Sequence, residues 1–198
     1  MIIIGVTGGI GSGKSYICRL MEEEFGIPVY DCDREAKRLN VESEEIRREL
    51  TRLVGDKVYR EDGGLDKDVL AGYLFQSPEN ARKVNAVCHP AVARDFQEWT
   101  RRQSCGIVAM ESAILFESGF DGLTDYQVSV SAPEDLRMER VLMRDNTTRE
   151  AVERRQKMQI KDEERNRMCR FVITNDGRDV RSQIQNIIEQ LKKENAIC

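Results

Sequence analysis

The chain of 198 residues is 40% hydrophobic and 33% charged, and its formal net charge is −4. This composition predicts a globular protein with one well-filled core. No apolar run approaches the about 20 residues needed to span a bilayer, and the opening "MIIIGV" is too short for a signal-peptide core. The net negative charge argues against a nucleic acid as partner. We therefore expect a cytoplasmic protein that binds neither membrane nor nucleic acid.

The first thirty residues or so predict a strand, a helix and a second strand. Residues 2–6 are continuously apolar, which is typical of a strand buried on both faces. Ile17, Leu20 and Met21 then recur at helical spacing, and Gly26 is a typical helix terminator. A second short strand begins at 28–30 and ends in "DCD". This βαβ order predicts a parallel sheet.

The rest of the chain alternates a long helical stretch with further strands. Residues 34–103 are mostly helical in pattern, which is far longer than a crossover connection requires. Apolar strands are predicted at 107–110, 126–132 and 170–174, and the apolar residues between 180 and 191 follow one helix face. We expect one α/β domain with two mobile appendages.

The six cysteines are scattered without a C-x-x-C pair, and the chain contains a single histidine. A structural zinc site needs clustered Cys and His ligands, and intracellular thiols are normally reduced. We therefore expect neither a disulfide framework nor a zinc site.

A glycine-rich loop joins the first strand to the first helix. Gly8, Gly13, Lys14 and Ser15 match the pattern G-x-x-x-x-G-K-[ST] in full. In such a loop the backbone N–H groups and the helix N-terminus surround phosphate, the lysine reaches the outer phosphates and the hydroxyl ligates Mg²⁺. The alternative is a turn that only connects strand to helix. We interpret the loop as a nucleoside triphosphate site.

Carboxylates follow two of the predicted strands. Asp31 and Asp33 lie two residues apart after the second strand, and side chains at i and i+2 of extended backbone point the same way. Ligands bind beyond the carboxyl ends of parallel strands, where a carboxylate could accept a hydroxyl proton. Alternatively, Asp33 is a helix N-cap. Glu111 follows the third strand and could either orient a Mg²⁺-bound water or simply cap that strand.

Basic residues concentrate in one segment of this acidic chain. Residues 137–170 contain eleven Lys and Arg against seven Asp and Glu. An isolated basic segment suits a small anionic ligand better than a polyanion. Most of these arginines could equally form a solvated helix face.

The ordered motifs "TGGIGSGKS", "DCD", "HP", "ILFE", "RVLMRD", "RRQKMQ" and "ITNDG" resemble those of dephospho-CoA kinases from Ile3 to about Leu191. These enzymes use ATP to phosphorylate the ribose 3′-hydroxyl of dephospho-CoA, the last step of coenzyme A biosynthesis. The resemblance implies a three-layer α/β/α P-loop kinase fold with a five-stranded parallel sheet. It divides the chain into a core (about 1–33, 104–140 and 168–198), a helical CoA-binding subdomain (about 34–103) and a lid (about 141–167).

The resemblance also implies roles for individual residues, with ATP and dephospho-CoA as partners. Asp33 would be the catalytic base, with Lys14 on the phosphates, and Ser15 would ligate Mg²⁺ with Glu111 acting through water. The implied ATP contacts are Gly11, Ser12, Gly13, Lys14, Ser15, Tyr16, Arg140 and Asn175, and the implied lid arginines are Arg144 and Arg155. The implied substrate contacts are Thr7, Asp31, Asp33, Lys67, His89, Leu115 and Phe116.

Some of these roles have simpler alternatives. His89, before Pro90, could be only a helix-start residue. Lys67 stands where the family usually has Arg. A lysine keeps the positive charge but cannot form the bidentate hydrogen bonds that an arginine makes. We expect a monomer or weak homo-oligomer.

Two other functions fit the loop. Shikimate, gluconate or nucleoside monophosphate kinases also combine such a loop with carboxylates, but the long helical stretch here favours a large acceptor. A GTPase-type switch needs an N-K-x-D motif to read guanine, and no Asn in this chain is followed by Lys.

Overall fold

The computed structural model describes residues 1–145, 147–157 and 159–195. The chain divides into two units, one formed by Met1–Tyr30 with Gln103–Cys198 and the other by Asp31–Arg102. We call the first the sheet unit and the second the helical unit. Among the described residues, no helix combines the length and apolar character needed to cross a membrane.

The five strands form one parallel sheet in the order β2-β3-β1-β4-β5. They are β1 Ile2–Thr7, β2 Val29–Asp31, β3 Ile107–Glu111, β4 Tyr126–Ser131 and β5 Phe171–Thr174. Val6 lies opposite Glu111 on one side, and Thr7 lies opposite Ser129 on the other. β1 is therefore central, at the point where the strand order reverses, which is where ligands bind in open α/β sheets.

The helices of the described residues are α1 Lys14–Phe25, α2 Cys32–Glu42, α3 Glu44–Val54, α4 Lys67–Leu74, α5 Pro78–Arg101, α6 Glu134–Asp145, α7 Arg149–Lys157, α8 Asp162–Met168 and α9 Val180–Glu194. Together with the sheet they confirm the predicted α/β fold class.

The core of the sheet unit joins β1 to α1 and α9. Ile4 of β1, Ile17 and Met21 of α1, and Ile184 of α9 are completely buried. Burial on both faces explains why β1 is apolar at successive positions rather than at alternate ones. α1 ends at Gly26, whose left-handed backbone (φ 64°) lets its N–H donate to the Met21 carbonyl. The predicted strand–helix unit is confirmed, and it fixes the loop between β1 and α1.

The helical unit has its own core, in which Ile46, Leu50, Val58 and Val84 are buried. Its helices begin at side-chain caps, and Ser77 accepts a hydrogen bond from the Asn80 N–H at the start of α5. Pro in the first turn suits this start because its missing N–H would have no helical partner there. Ser77 and Pro78 together therefore define the start of α5.

Helix α5 continues through a proline. It runs without interruption from Pro78 to Arg101, with Pro90 inside it. Pro90 removes only the one hydrogen bond to the Ala86 carbonyl. Burial of an apolar face that includes Val92 and Phe96 outweighs that loss. The alternative that His89 is a helix-start residue is therefore wrong.

Candidate active site

The loop between β1 and α1 is shaped by its glycines. Gly11 and Gly13 have φ values of 79° and 91°, in the left-handed region that side chains other than glycine rarely adopt. A Cβ on Gly11 would lie 2.4 Å from the Arg137 carbonyl oxygen, and one on Gly13 would lie 2.2 Å from Asn175 Nδ2. Both positions therefore require glycine for backbone conformation and for space.

Lys14 and Ser15 begin α1 directly after this loop. Lys14 Nζ donates to the Gly8 carbonyl oxygen at 2.9 Å, which holds the ammonium group over the loop. The positive end of the α1 dipole and the N–H groups of its first turn lie at the same point. This arrangement favours an anion with several oxygens, such as a phosphate chain.

Ser15 also meets the acidic residue at the end of β3. Ser15 Oγ donates to Glu111 Oε1 at 3.0 Å, and Glu111 is buried. A hydroxyl and a carboxylate side by side are oxygen donors of the kind that Mg²⁺ prefers. Burial, with the Glu111 carboxylate as the second cause, raises the pKa of the Cys18 thiol well above its usual value. Cys18 therefore stays protonated beside this pair.

Arg140 and Asn175 contact the loop itself. Asn175 Nδ2 donates to the Ser12 carbonyl oxygen at 2.9 Å. Arg140 donates to that same carbonyl at 3.5 Å and to the Asn175 carbonyl at 3.2 Å. The side-chain amide of Asn175 is thus used to hold the loop, and Arg140 ties the two segments together.

Two hydroxyls near the loop are buried without protein partners. Among the residues that the structure describes, neither Thr7 Oγ1 nor Ser12 Oγ has a hydrogen-bond partner. A buried hydroxyl without a partner loses hydrogen-bond energy, so such groups mark a place where another molecule can supply an acceptor.

The residues after β3 differ in their exposure. Leu115 is fully buried, and a Cβ added to Gly5 would lie 2.8 Å from its Cδ2 atom. Phe116 is half-buried. Leu115 therefore supports β1 from the side, and Phe116 is the more accessible of the pair. Tyr16, in the first turn of α1, is exposed.

The predicted lid arginines converge on one carboxylate. Arg144 donates to both oxygens of Asp145 at 2.6 and 3.1 Å, and Arg155 pairs with the same carboxylate at 3.3 Å. Both arginine side chains are largely exposed. Asp145 therefore brings together two guanidinium groups from different helices.

Sequence reasoning missed a buried ionic cluster beside the loop. Arg137 and Arg165 are both buried and both pair with Asp162. The one signal in the sequence was the i,i+3 spacing of Asp162 and Arg165, which is too common to distinguish a buried pair from a surface one.

In the helical unit, Asp31 and Asp33 have different roles. Asp31 is the N-cap of α2 and accepts a hydrogen bond from the Arg34 N–H at 2.9 Å. Asp33 lies in the first turn and is exposed. The argument from extended backbone was wrong, because α2 already begins at Cys32. The alternative that Asp33 is the N-cap is also wrong, since Asp31 has that role.

Two further predicted substrate residues lie in the helical unit. Lys67 is the first residue of α4 and lines a cavity of about 490 Å³ together with Lys37 and Arg60. His89 is half-buried within α5, and burial lowers its pKa. We therefore expect a neutral imidazole at neutral pH.

Comparisons with known proteins agree with one another. A family model described as dephospho-CoA kinase matches residues 2–181. A dephospho-CoA kinase of Bacteroides fragilis is 46% identical over 177 residues, which cover 89% of this chain and 85% of that protein. One of Chlorobaculum tepidum is 35% identical and covers 96% of this chain and 95% of its own length.

Solved structures agree at the level of the fold. A structure from Thermus thermophilus is 35% identical, covers 96% of this chain and 97% of its own, and has a TM-score of 0.84. A shikimate kinase of Acinetobacter baumannii covers 98% of this chain and 94% of its own with a TM-score of 0.59, but at 17% identity it shows the shared fold alone. With the phosphate-type loop, the sheet order and a family match over most of its length, this chain belongs to the dephospho-CoA kinase family.

Proposed function

We propose that this protein transfers the γ-phosphoryl group of ATP to the ribose 3′-hydroxyl of dephospho-CoA, giving coenzyme A and ADP. The observation that carries the proposal is the family match over residues 2–181. The hydrogen-bonded loop at Lys14 and Ser15 supports it independently, because that geometry suits a phosphate chain.

The phosphates of ATP would lie in the loop of residues 8–15. Lys14 would exchange its bond to the Gly8 carbonyl for the outer phosphates, and the loop N–H groups would bind the inner ones. Arg140 and Asn175 would act by fixing the Ser12 peptide, so that the loop is already formed before nucleotide arrives. Such preorganised donors lower the barrier because they need no reorganisation during reaction.

Ser15 would ligate Mg²⁺ and Glu111 would act on it through water, since both side chains offer oxygen donors at the same point. The ion, when bound, supplies charge neutralisation for the transferring phosphate. Before it binds, the hydrogen bond between the two side chains keeps both oxygens in position.

Asp33 would accept the proton of the acceptor hydroxyl. The bond from the 3′-oxygen to the γ-phosphorus forms while the bond from that phosphorus to the leaving oxygen of ADP breaks, and the hydroxyl proton passes to the carboxylate. Asp33 is exposed and is not needed as a cap, because Asp31 performs that task. The Asp33 carboxylate is therefore not needed to cap α2.

The acceptor would bind through Thr7, Phe116 and residues of the helical unit. The cavity beside Lys67 is lined by three cationic side chains, by the carboxylates of Asp66 and Asp68, and by apolar Val41 and Leu65. The cationic side chains would bind the phosphate-bearing part of the acceptor and the apolar ones its apolar part. His89, Asp31 and Leu115 would shape the acceptor site.

Arg144 and Arg155 would move from Asp145 to the phosphates when ATP binds. The triphosphate carries more negative charge than one carboxylate and offers more acceptor oxygens. Closing two arginines over the reacting group would also exclude water and limit wasteful hydrolysis. We propose further that the protein acts in the cytoplasm as a monomer or weak homo-oligomer.

Purified protein incubated with Mg·ATP tests the proposal by ADP release with and without dephospho-CoA, with the product identified by mass. We expect ADP only when the acceptor is present, and a product heavier by one phosphoryl group. Folded protein that binds ATP but shows no dependence on dephospho-CoA would overturn the acceptor assignment. Shikimate, gluconate and nucleoside monophosphates are the comparison acceptors.

A further inference from the structure

Arg137 of α6 fills the space beside the second glycine of the loop. A Cβ on Gly9 would lie 2.1 Å from Arg137 Nη1 and 2.9 Å from Asp162 Oδ1. Position 9 is one of the variable positions of the G-x-x-x-x-G-K-[ST] pattern, so phosphate binding alone does not require glycine there. In this chain, the guanidinium group occupies the volume that a side chain at position 9 would need.

Asp162 holds that guanidinium group in place. Its Oδ2 atom lies 2.8 Å from Arg137 Nη2, and its Oδ1 atom pairs with Arg165 Nη1. Both arginines are at least nine-tenths buried. Arg165 in turn donates to the Ile160 carbonyl at 2.7 Å. A carboxylate shared by two buried guanidinium groups has a strongly restricted position, because each group depends on it for charge compensation.

The segment before Asp162 is attached to the loop and to the chain after β3. Gln159 Oε1 accepts from the Ile10 N–H at 3.1 Å, and its Nε2 donates to the Ala113 carbonyl at 3.2 Å. The Ile160 N–H donates to Glu117 at 3.0 Å. Gln159 therefore contacts the loop at Ile10, and Asp162 lies beside the neighbouring position, Gly9.

The geometry points to Asp162 as a positioning residue for nucleotide binding: it holds Arg137 against Gly9 and so fixes the peptides of residues 9–11. The Arg137 carbonyl oxygen also packs against Gly11, so one residue restrains both ends of this stretch. Misdirected loop N–H groups would bind phosphate less well even though they do not contact Asp162. This inference deepens the proposed function and rests on the loop as the nucleotide site.

The direction in which Asp162→Asn changes the Kd for Mg·ADP distinguishes a positioning role from a purely coulombic one. Asp162→Asn removes a negative charge beside a site for anions, so a coulombic effect alone would strengthen Mg·ADP binding. Loss of positioning weakens it instead. We expect the Kd for Mg·ADP, measured by calorimetry, to rise about tenfold. Glu163→Gln, which removes an exposed charge one residue further along α8, is the matched control and should change the Kd by less than about twofold.

Tighter or unchanged Mg·ADP binding by folded Asp162→Asn overturns the proposal. The KM for dephospho-CoA gives a second readout, which positioning of the nucleotide loop should leave within about twofold. Equal losses for both ligands would indicate general damage and would also overturn it. Because Mg·ADP binding needs no acceptor, failure of the acceptor assignment leaves this test intact.

A double-mutant cycle decides the question if Asp162→Asn does not fold. Gly9→Ala should raise the Kd for Mg·ADP about tenfold in the parent, because its methyl group displaces the Arg137 guanidinium group. In the Arg137→Ala background, the same substitution should have a much smaller effect, less than about threefold. An equal effect in both backgrounds would show that the loop needs glycine for its own sake, and the proposal would fail.

Discussion

The loop of residues 8–15 and the start of α2 differ in how their functional groups are held: those of the loop are hydrogen-bonded to protein atoms, and Asp33 at the start of α2 is exposed. In the loop, Lys14 and Ser15 are hydrogen-bonded to protein atoms, and the glycines are surrounded at less than 3 Å from where a Cβ would stand. At the start of α2, the exposed Asp33 follows a residue that already caps the helix. A substitution in the loop should therefore change both the loop conformation and the stability of the fold. Substitution of Asp33, the proposed proton acceptor, should change neither.

This difference matches the two chemical tasks. Binding a phosphate chain needs several donors in fixed positions, because their orientation must not be lost when the charge moves. Accepting one proton needs a single carboxylate within reach of the hydroxyl. We therefore expect substitutions in the loop to change binding and stability together, and substitution of Asp33 to change turnover alone.

The largest effect is expected at Lys14. Lys14→Ala removes the ammonium group proposed to neutralise the outer phosphates, so kcat should fall by about 10²–10³-fold. Steady-state kinetics with Mg·ATP measures this. Lys193→Ala, at an exposed position of α9, controls for the loss of one positive charge and should leave kcat within about threefold. Turnover of Lys14→Ala near that of the parent would remove Lys14 from the proposed mechanism.

Substitution of Asp33 should lower activity, whereas substitution of Asp31 should lower stability. Asp33→Asn should lower kcat by about 10²–10⁴-fold without shifting the unfolding midpoint, because the side chain is exposed and does not cap α2. Asp31→Ala should lower the free energy of unfolding by about 1 kcal/mol through the lost cap. Urea denaturation and initial rates on both variants test the pair. Near-normal turnover by Asp33→Asn would withdraw its role as the base.

Gly13 and Gly177 both have a positive φ but differ in their surroundings. Their φ values are 91° and 100°, yet a Cβ on Gly13 would meet Asn175 at 2.2 Å, whereas no atom of the described residues beyond the chain neighbours lies within 4 Å of one on Gly177. Substitution by Ala should cost about 1–3 kcal/mol of unfolding free energy for backbone strain at either position. Gly13→Ala should cost more in addition and should weaken Mg·ADP binding, measured by calorimetry. Equal behaviour of the two variants would show that the Asn175 contact is unimportant.

The lid arginines should show the smallest effects. Arg155→Ala should raise the KM for ATP about tenfold, because it removes one charge-assisted contact to phosphate. Its unfolding free energy should change by less than about 0.5 kcal/mol, since its bond to Asp145 is exposed. Arg154→Ala, at the exposed neighbouring position, is the control for charge and should leave the KM unchanged. A KM shift in both variants would indicate a diffuse charge effect rather than a specific contact.

Much of the fold was predictable because its signals are local. The apolar run of β1, the stripe of α9 and the termination at Gly26 each follow from the identity and spacing of nearby residues. The pattern at residues 8–15 predicted the glycine-rich loop between β1 and α1 for the same reason. The continuity of α5 through Pro90 was not predictable, because burial of Val92 and Phe96 overrides a local helix-breaking preference.

By itself, the sequence determined the class of fold, the phosphate-type loop and the family resemblance. The tertiary structure decided which side chains meet: Ser15 with Glu111, and Arg137 with Asp162 beside Gly9. These partners lie far apart in the chain, so no local spacing specifies them. They are brought together only when strands pair and helices pack, because a buried charge or hydroxyl is stable only beside the partner that compensates it.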